Sequence, residues 1–306
     1  MRFITEESLK RPEVLRWHER IKERYTPPKN IKLTVILPCS AKKPYSKSKS
    51  HMQFQKYIRR GAGKKIGLVH EIILTSPLGL VPRELEEVYP ASHYDIPVTG
   101  HWSKNERAVA LELLRDYISK SSAEVVGHVD GACREICSDV GVELTEENIL
   151  SNTSLRDLER VVSEKLDKCK PVRRDGISNL RRVCDFQFGK GSSRYLLPAG
   201  TSTKGRQIFL KNEQIAAVNP NDGLLALSLE GGRLLKKHIV KISFKLETNS
   251  IFCVGVEKAG REIRPNDEVV VIYRNKVVGV GKAVLNGEEM TKARKGLAVS
   301  LRHRLK

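Results

Sequence analysis

In the first half of the chain, short apolar runs alternate with stretches whose apolar residues recur every three or four positions. The runs predict strands over Lys32–Leu37, Glu71–Ser76, Asp95–Val98 and Ala123–Val129. Helices are predicted over Met52–Arg60 and Asn105–Ser119, the second burying Ala108, Leu111, Leu114 and Ile118. Another helix follows Gly131, and Ser151-Asn152-Thr153 offers an N-cap to an amphipathic helix over Leu155–Cys169. Residues 1–25 read as one amphipathic helix. Strand and helix in alternation predict a three-layer α/β domain with a parallel sheet over residues 1–168.

The charged, proline-bearing stretch Lys168–Gly176 marks a boundary. Beyond it helical periodicity disappears, and Arg194–Ala199, Gly205–Leu210 and Gly223–Leu229 read as strands of a small α+β middle domain, 169–232. From Arg233 onward, His238–Phe244, Ile251–Val256, Glu268–Tyr273, Lys276–Leu285 and Gly296–Arg302 are short strands at turn-punctuated spacing, which predicts a C-terminal β-barrel over 233–306.

Charge changes the picture. Fifty-five Lys+Arg against thirty-six Asp+Glu give +19, an excess suited to polyanions such as nucleic acid or an anionic membrane. No apolar run is long enough to span a bilayer, and the first residues do not read as a signal sequence, so a cytoplasmic protein with no membrane partner is expected. The six cysteines form no CxxC, which argues against a disulfide framework or a zinc site. Cys133 and Cys137 share a helical face without a second ligand pair, so buried packing is the reading there. No metal and no cofactor is expected.

Ligands of open α/β sheets bind beyond the carboxyl ends of the strands, which points to the loops Pro38–His51, Ser76–Glu84, Tyr89–Asp95 and Thr99–Trp102, and to Asp130. Cys39 is a candidate nucleophile. Nine Lys/Arg and no Asp/Glu lie between Pro38 and His70, which would lower its pKa; a small buried cysteine is the alternative. His51 and His93 are candidate acids or bases, and Asp95 would orient one of them or bind an amine. Tyr45, Tyr94 and Trp102 would stack on a base, or pack in the core. Ser46, Ser48 and Ser50 alternate with lysines in a loop suited to phosphates. Arg83 and Glu84 read as substrate contacts or as a structural pair. Pro38, Ser40, Lys43, Ser76 and His101 complete the candidate substrate-binding set.

Motifs sharpen these readings. Gly255-Val256, the turn Pro265-Asn266-Asp267-Glu268-Val269, Gly279-Val280-Gly281-Lys282-Ala283, and Gly296 followed by Val299 and Arg302 resemble the PUA domain, an RNA-binding module. Asn266 stands where that family most often has Gly, a replacement that a left-handed turn tolerates. Between Ile251 and Lys306 there are twelve Lys/Arg against six Asp/Glu, and Lys258, Arg261, Lys282, Lys292, Arg294, Lys295, Arg302 and Arg304 are candidate RNA contacts, each with a solvated surface as its alternative. Upstream, the segments Leu180–Gly200, Gly205–Leu210 and Asn219–Leu235 look like the small domain that precedes PUA in archaeal tRNA-guanine transglycosylases, which implies tRNA.

The runs PCSAKKPYSKSKSH and TSPLGLVPRELEEVYPASHYDIPVTGHW resemble the core domain of archaeosine synthase. The resemblance implies a uracil-DNA glycosylase-like fold and the joining of lysine to the nitrile of 7-cyano-7-deazaguanine in the tRNA D-loop, a transferase or amidinotransferase reaction. A nitrile needs an amine or thiolate nucleophile and an acid for its nitrogen, which Cys39, as a thioimidate former, and the histidines would supply. Full-length relatives begin with a barrel domain that these residues do not supply. The implied partners are therefore tRNA, free lysine, and a separate transglycosylase-like barrel chain or a radical-SAM protein. A non-catalytic tRNA-binding subunit and a nucleobase-processing enzyme of the glycosylase-like fold remain the alternatives.

Overall fold

The computed structural model describes residues 6–93, 101–172 and 175–305. They fall into two compact units, 1–176 and 177–306. No described helix is long and apolar enough to cross a membrane.

The first unit is built on a five-stranded sheet: β1 (Leu33–Pro38), β2 (Val69–Thr75), β3 (Gly79–Pro82), β4 (Glu124–Gly127) and β5 (Glu143–Leu144), in the order β3-β2-β1-β4-β5. β1 pairs in parallel with β2 and β4, and β4 with β5, while β3 folds back antiparallel on β2. Among the described residues the α-helices that accompany it are α1 (Pro12–Glu23), α2 (Lys49–Ala62), α3 (Lys104–Ser119), α4 (Gly131–Ser138) and α5 (Asn152–Leu166).

All six residues of β1 are buried, because its alternating side chains feed two helical layers. Leu33, Val35 and Leu37 pack against Phe54 and Ile58 of α2 and Leu158 and Val162 of α5. Thr34 points the other way, its hydroxyl 3.1 Å from that of Tyr117 on α3. On that side Trp17 of α1 donates to the carbonyl of Leu80 at 3.1 Å. α2 and α5 cross closely at Gly61, where a Cβ would stand 2.3 Å from the carbonyl oxygen of Glu159.

Three expectations change here. β3 is a strand where a loop was expected, pairing Gly79–Pro82 with Ile72–Thr75. The helix over 1–25 starts only at Pro12, preceded by a short 3-10 turn over Glu6–Lys10; proline fixes the first helical position and cannot continue a helix from before it. α3 buries Ala110, Leu113, Leu114 and Tyr117, whereas Ala108 is exposed. Both faces of that helix are apolar enough to pack, and the one with the larger side chains is inward. The strand expected at Asp95–Val98 lies outside the described residues.

The second unit begins with α6 (Ser178–Phe188) and α7 (Ser193–Leu196), continues as an antiparallel meander of β6 (Thr201–Lys204), β7 (Gln207–Leu210), β8 (Glu213–Val218) and β9 (Leu225–Leu227), and reaches α8 (Leu229–Leu234). Then come β10 (Ile239–Ile242), β11 (Ser250–Phe252), β12 (Val256–Ala259), β13 (Glu268–Tyr273), β14 (Lys276–Ala283), α9 (Gly287–Lys292) and β15 (Leu297–Arg304). These six strands form one sheet, β11-β15-β14-β13-β10-β12, around a core that includes Val240, Ile251, Val269, Val271 and Val299. Asn266 has φ 68°, the left-handed turn anticipated for it.

The strand expected over Arg194–Ala199 is instead the short helix α7 and its exit, and α6 lies where helical periodicity had vanished from view. The reason is Gln187. It is buried on the inner face of α6, with its amide donating to the carbonyl of Leu225 at 2.9 Å and accepting from the amide of Leu225 at 2.8 Å, so a polar residue interrupts the apolar stripe.

The two sheets of this unit share a charged seam. Glu268 of β13 is fully buried, accepts from the amide of Leu227 at 2.9 Å, and pairs with Arg302 of β15. Arg302 also donates to the carbonyl of Leu227 at 2.9 Å, and Lys282 of β14 pairs with Asp222 at 2.9 Å. Removing one member of a buried pair strands the other. Arg302→Ala is therefore expected to destabilise this unit by about 2–3 kcal/mol, less than a fully enclosed pair because the arginine is partly exposed. Urea unfolding of the variant checks this.

Candidate functional site

β1 ends at Pro38, and Cys39 is the first residue beyond its carboxyl edge. The chain from Cys39 to Ser48 is not a flexible loop. Ser48 caps α2 by accepting from the amide of His51, and the hydroxyls of Ser48 and Ser50 lie 3.2 Å apart. The amide of Ser46 donates to Glu86 at 2.9 Å. Of the serines expected to contact phosphates, Ser48 and Ser50 are thus engaged in shaping the start of α2, while Ser46 is tied through its backbone.

His51 is fully buried in the first turn of α2. Arg83 donates to its Nδ1 at 2.9 Å, so that nitrogen carries no proton, and the proton on Nε2 is donated to the carbonyl of Pro38 at 2.9 Å. Burial, with the Arg83 charge beside it, holds the imidazole down to about 3. It is a neutral strut, not the acid or base expected. Arg83 in turn pairs with Glu71 at 2.7 Å and Glu86 at 2.8 Å. Glu84, expected beside Arg83, instead pairs with His70 at 2.9 Å and accepts from the Tyr25 hydroxyl at 2.9 Å.

Cys39 is partly exposed. Burial raises its pKa, offset in part by Lys43 and by the hydroxyl of Thr75, which also accepts from Tyr45 at 3.3 Å. The expected depression of the thiol does not occur, because most of the nine neighbouring cations in sequence are spread along an exposed loop and helix and only Lys43 acts strongly on it. Burial lowers the Lys43 ammonium, and Cys39 opposes that shift. Asp130, exposed at the end of the β4 segment, and buried Cys133 also act electrostatically on this cluster. The thiol of Cys39, the ammonium of Lys43 and the carboxylate of Asp130 therefore lie within electrostatic reach of one another at one strand edge.

The other candidates are dispersed. Tyr45 is fully buried and Trp102 nearly so, which removes both rings as exposed stacking platforms. The Ser76 hydroxyl donates to Glu106, the residue that closes the capping box at the start of α3. Ser40 donates to the carbonyl of Lys42 at 2.9 Å. His93 is exposed beside Ser92 and Tyr89, and His101 is exposed. Tyr94 and Asp95 lie outside the described residues. Thr75 and Cys133 were missed as site residues; Asp130 was placed at the strand edge by its position after a predicted strand but was given no role. Among the described residues, no group of three or more His, Cys, Asp or Glu is placed to hold a metal.

In the second unit, Lys282 and Arg302 are engaged in the seam and Lys292 pairs with Glu288. Lys258, Arg261, Arg294 and Lys295 are exposed, and Arg304 is half-buried.

His51 and His128 bind protons more weakly than in an unfolded chain; His128, held by Thr145 and the carbonyl of Ile149, is lowered to about 4. Below about pH 6.5 the unfolded state takes up protons that the folded state refuses, so stability falls with falling pH down to the folded values. Each histidine contributes up to about 1.4 kcal/mol per pH unit in that window. Denaturant midpoints between pH 7.5 and 5 should show this fall, with His51→Gln flattening it by about one proton. For Cys39, alkylation followed by mass spectrometry should be slow at neutral pH, faster as pH rises, and slower again in Lys43→Met.

Comparison with known proteins supplies the family. The PUA domain model matches residues 234–305, and the patch-forming domain C2 of tRNA-guanine transglycosylase matches residues 178–241. The chain is 42% identical over 323 residues to the archaeosine synthase subunit alpha of Thermococcus kodakarensis, covering 99% of this chain and 56% of that protein. It is 41% identical to the subunit alpha of Methanosarcina acetivorans, covering 98% and 51%. The chain thus spans about half the length of the curated relatives it matches. The crystal structure of AF0587, a protein of unknown function, superposes with a TM-score of 0.71 at 27% identity, covering 95% of this chain and all of that one. The family model described as "Domain of unknown function (DUF5591)" matches residues 14–167, half of the chain, and the chain belongs to that family.

Proposed function

We propose that this protein binds tRNA and adds the side-chain amine of lysine to the nitrile of 7-cyano-7-deazaguanine within it, as an archaeosine-synthase-like transferase. The observation that carries this is the Cys39–Lys43 pair at the carboxyl edge of the sheet, in a chain similar along nearly its whole length to archaeosine synthase subunits. In this reading residues 1–168 are the core, of uracil-DNA glycosylase type, 169–232 the transglycosylase C2-like domain, and 233–306 the PUA domain that grips the RNA.

The chemistry follows from the pair. As the Cys39 sulfur bonds to the nitrile carbon, one π bond of the nitrile breaks and the thiol proton passes through Lys43 to the nitrogen, giving a thioimidate. Neutral lysine then adds to that carbon and displaces the thiol, which regains its proton; the product is an amidine. A raised thiol pKa suits this sequence only if proton transfer accompanies attack, which is the role given to Lys43. The Asp130 carboxylate, exposed beyond β4 and electrostatically felt at Cys39, binds an amine of the incoming lysine. The name "subunit alpha" carried by two relatives supports a partner chain, either a transglycosylase-like barrel or a radical-SAM protein that completes the pathway. The reaction belongs in the cytoplasm, with its tRNA.

The test is incorporation of labelled lysine into nitrile-bearing tRNA, with and without partner chains. Wild type is expected to label it, Cys39→Ala to lose at least about a hundredfold, and Lys43→Met to lose kcat more than affinity. Full activity in Cys39→Ala would leave direct attack by lysine and remove the thioimidate. No labelling under any condition would favour a tRNA-binding subunit, a reading for which the exposed cations of the PUA barrel speak.

A further inference from the structure

We propose that the exposed face of α2 is a second tRNA-binding surface, a track for backbone phosphates that leads to the Cys39–Lys43 site; this rests on the tRNA reading above. α2 buries His51, Phe54, Ile58 and Ala62 and presents Lys49, Lys56, Arg59 and Arg60 to solvent. From Lys49 to Arg60 these charges extend over about 16 Å of helix. Lys47 before the helix and Lys64 after it prolong the row, and both are exposed.

What separates this face from an ordinary solvated one is the lack of acids. No Asp or Glu occurs between Pro38 and Glu71. The other long helices of this unit carry acids beside several of their cations. Arg160 of α5 pairs with Asp157 and Glu164, and Lys165 with Glu124 and Glu143. On α3, Arg107 pairs with Glu135, and Lys120, just after the helix, with Asp116. On α2 the described ion pair is Arg60 with Glu159 of α5, at 3.3 Å. Lys56 stands one turn from both Arg59 and Arg60, a like-charge spacing that destabilises an isolated helix. A face that carries this repulsion fits a polyanion that relieves it.

The occupant is RNA on two grounds. First, α2 is bolted to the candidate site: His51 in its first turn holds the carbonyl of Pro38, the residue before Cys39, so a strand lying on this face approaches the reacting nucleotide at a fixed distance. Met52, half exposed in that same turn, offers apolar surface to a sugar or base next to the site. Second, the apolar side of α2 is already covered by α5 and the sheet, which leaves no apolar face to enter a lipid surface.

The experiment measures tRNA affinity of the full chain against salt for wild type, for Lys49→Gln/Lys56→Gln/Arg59→Gln on α2, and for Arg115→Gln/Arg156→Gln/Lys168→Gln, which removes the same charge from exposed positions elsewhere in the unit. Thermal unfolding establishes that both variants fold. The α2 variant should bind at least about tenfold more weakly at low salt, with a salt slope shallower by about two to three, while the control stays close to wild type. Equal losses in both variants would reduce the effect to net charge and overturn the proposal. An α2 variant that binds tRNA like wild type would overturn it too, and if that variant instead loses an acidic partner chain the face is a protein interface. Should wild type itself fail to bind tRNA, the functional reading above falls together with this one.

Discussion

The Arg83 guanidinium is the joint on which the geometry of the α/β unit turns. It reaches Glu71 on β2, Glu86 beyond β3, and Nδ1 of His51 on α2. Through the opposite ring nitrogen the same histidine holds the carbonyl at the end of β1. Two strands, a helix and the crossing loop are thereby fixed to one cation whose side chain is 15% exposed. A buried cation is costly unless every donor is matched, and here two carboxylates and an imidazole match it.

Cys39 is a consequence of that joint. Its position is set by Pro38 on one side and by a loop tied back at Ser46 and Ser48 on the other, which brings the thiol under the influence of Lys43 and Thr75. His51, a candidate acid or base from its place in the sequence, is held neutral by burial, and burial lowers the proton affinity of His128 in the same way. The titratable groups that keep some exposure at the strand edge are Cys39, Lys43 and Asp130.

The C-terminal unit follows the same logic with other residues. Glu268 closes the seam between the meander and the barrel, and Arg302 both neutralises it and caps the carbonyl of Leu227. Close packing at α8 adds to this: a Cβ on Gly231 would meet the carbonyl oxygen of Ile215 at 1.9 Å, and one on Gly232 would meet Val280 at 2.8 Å. The exposed cations of the barrel, Lys258, Arg261, Arg294 and Lys295, are consequently carried on a stiff support.

The sequence by itself determined the parallel α/β core, the barrel and its left-handed turn at Asn266, and the strand edge where Cys39 and Lys43 lie, because apolar periodicity and turn chemistry are local properties. It did not disclose α6, where a buried glutamine breaks the stripe, or β3, whose existence depends on pairing with β2. Nor did it separate structural from chemical histidines. The neutral state of His51, the raised thiol of Cys39 and the engagement of Arg302 and Lys282 come from burial and from partners as far as 75 positions away in sequence. Desolvation and long-range charge pairing exist only once the chain is packed, and only the tertiary structure decides them.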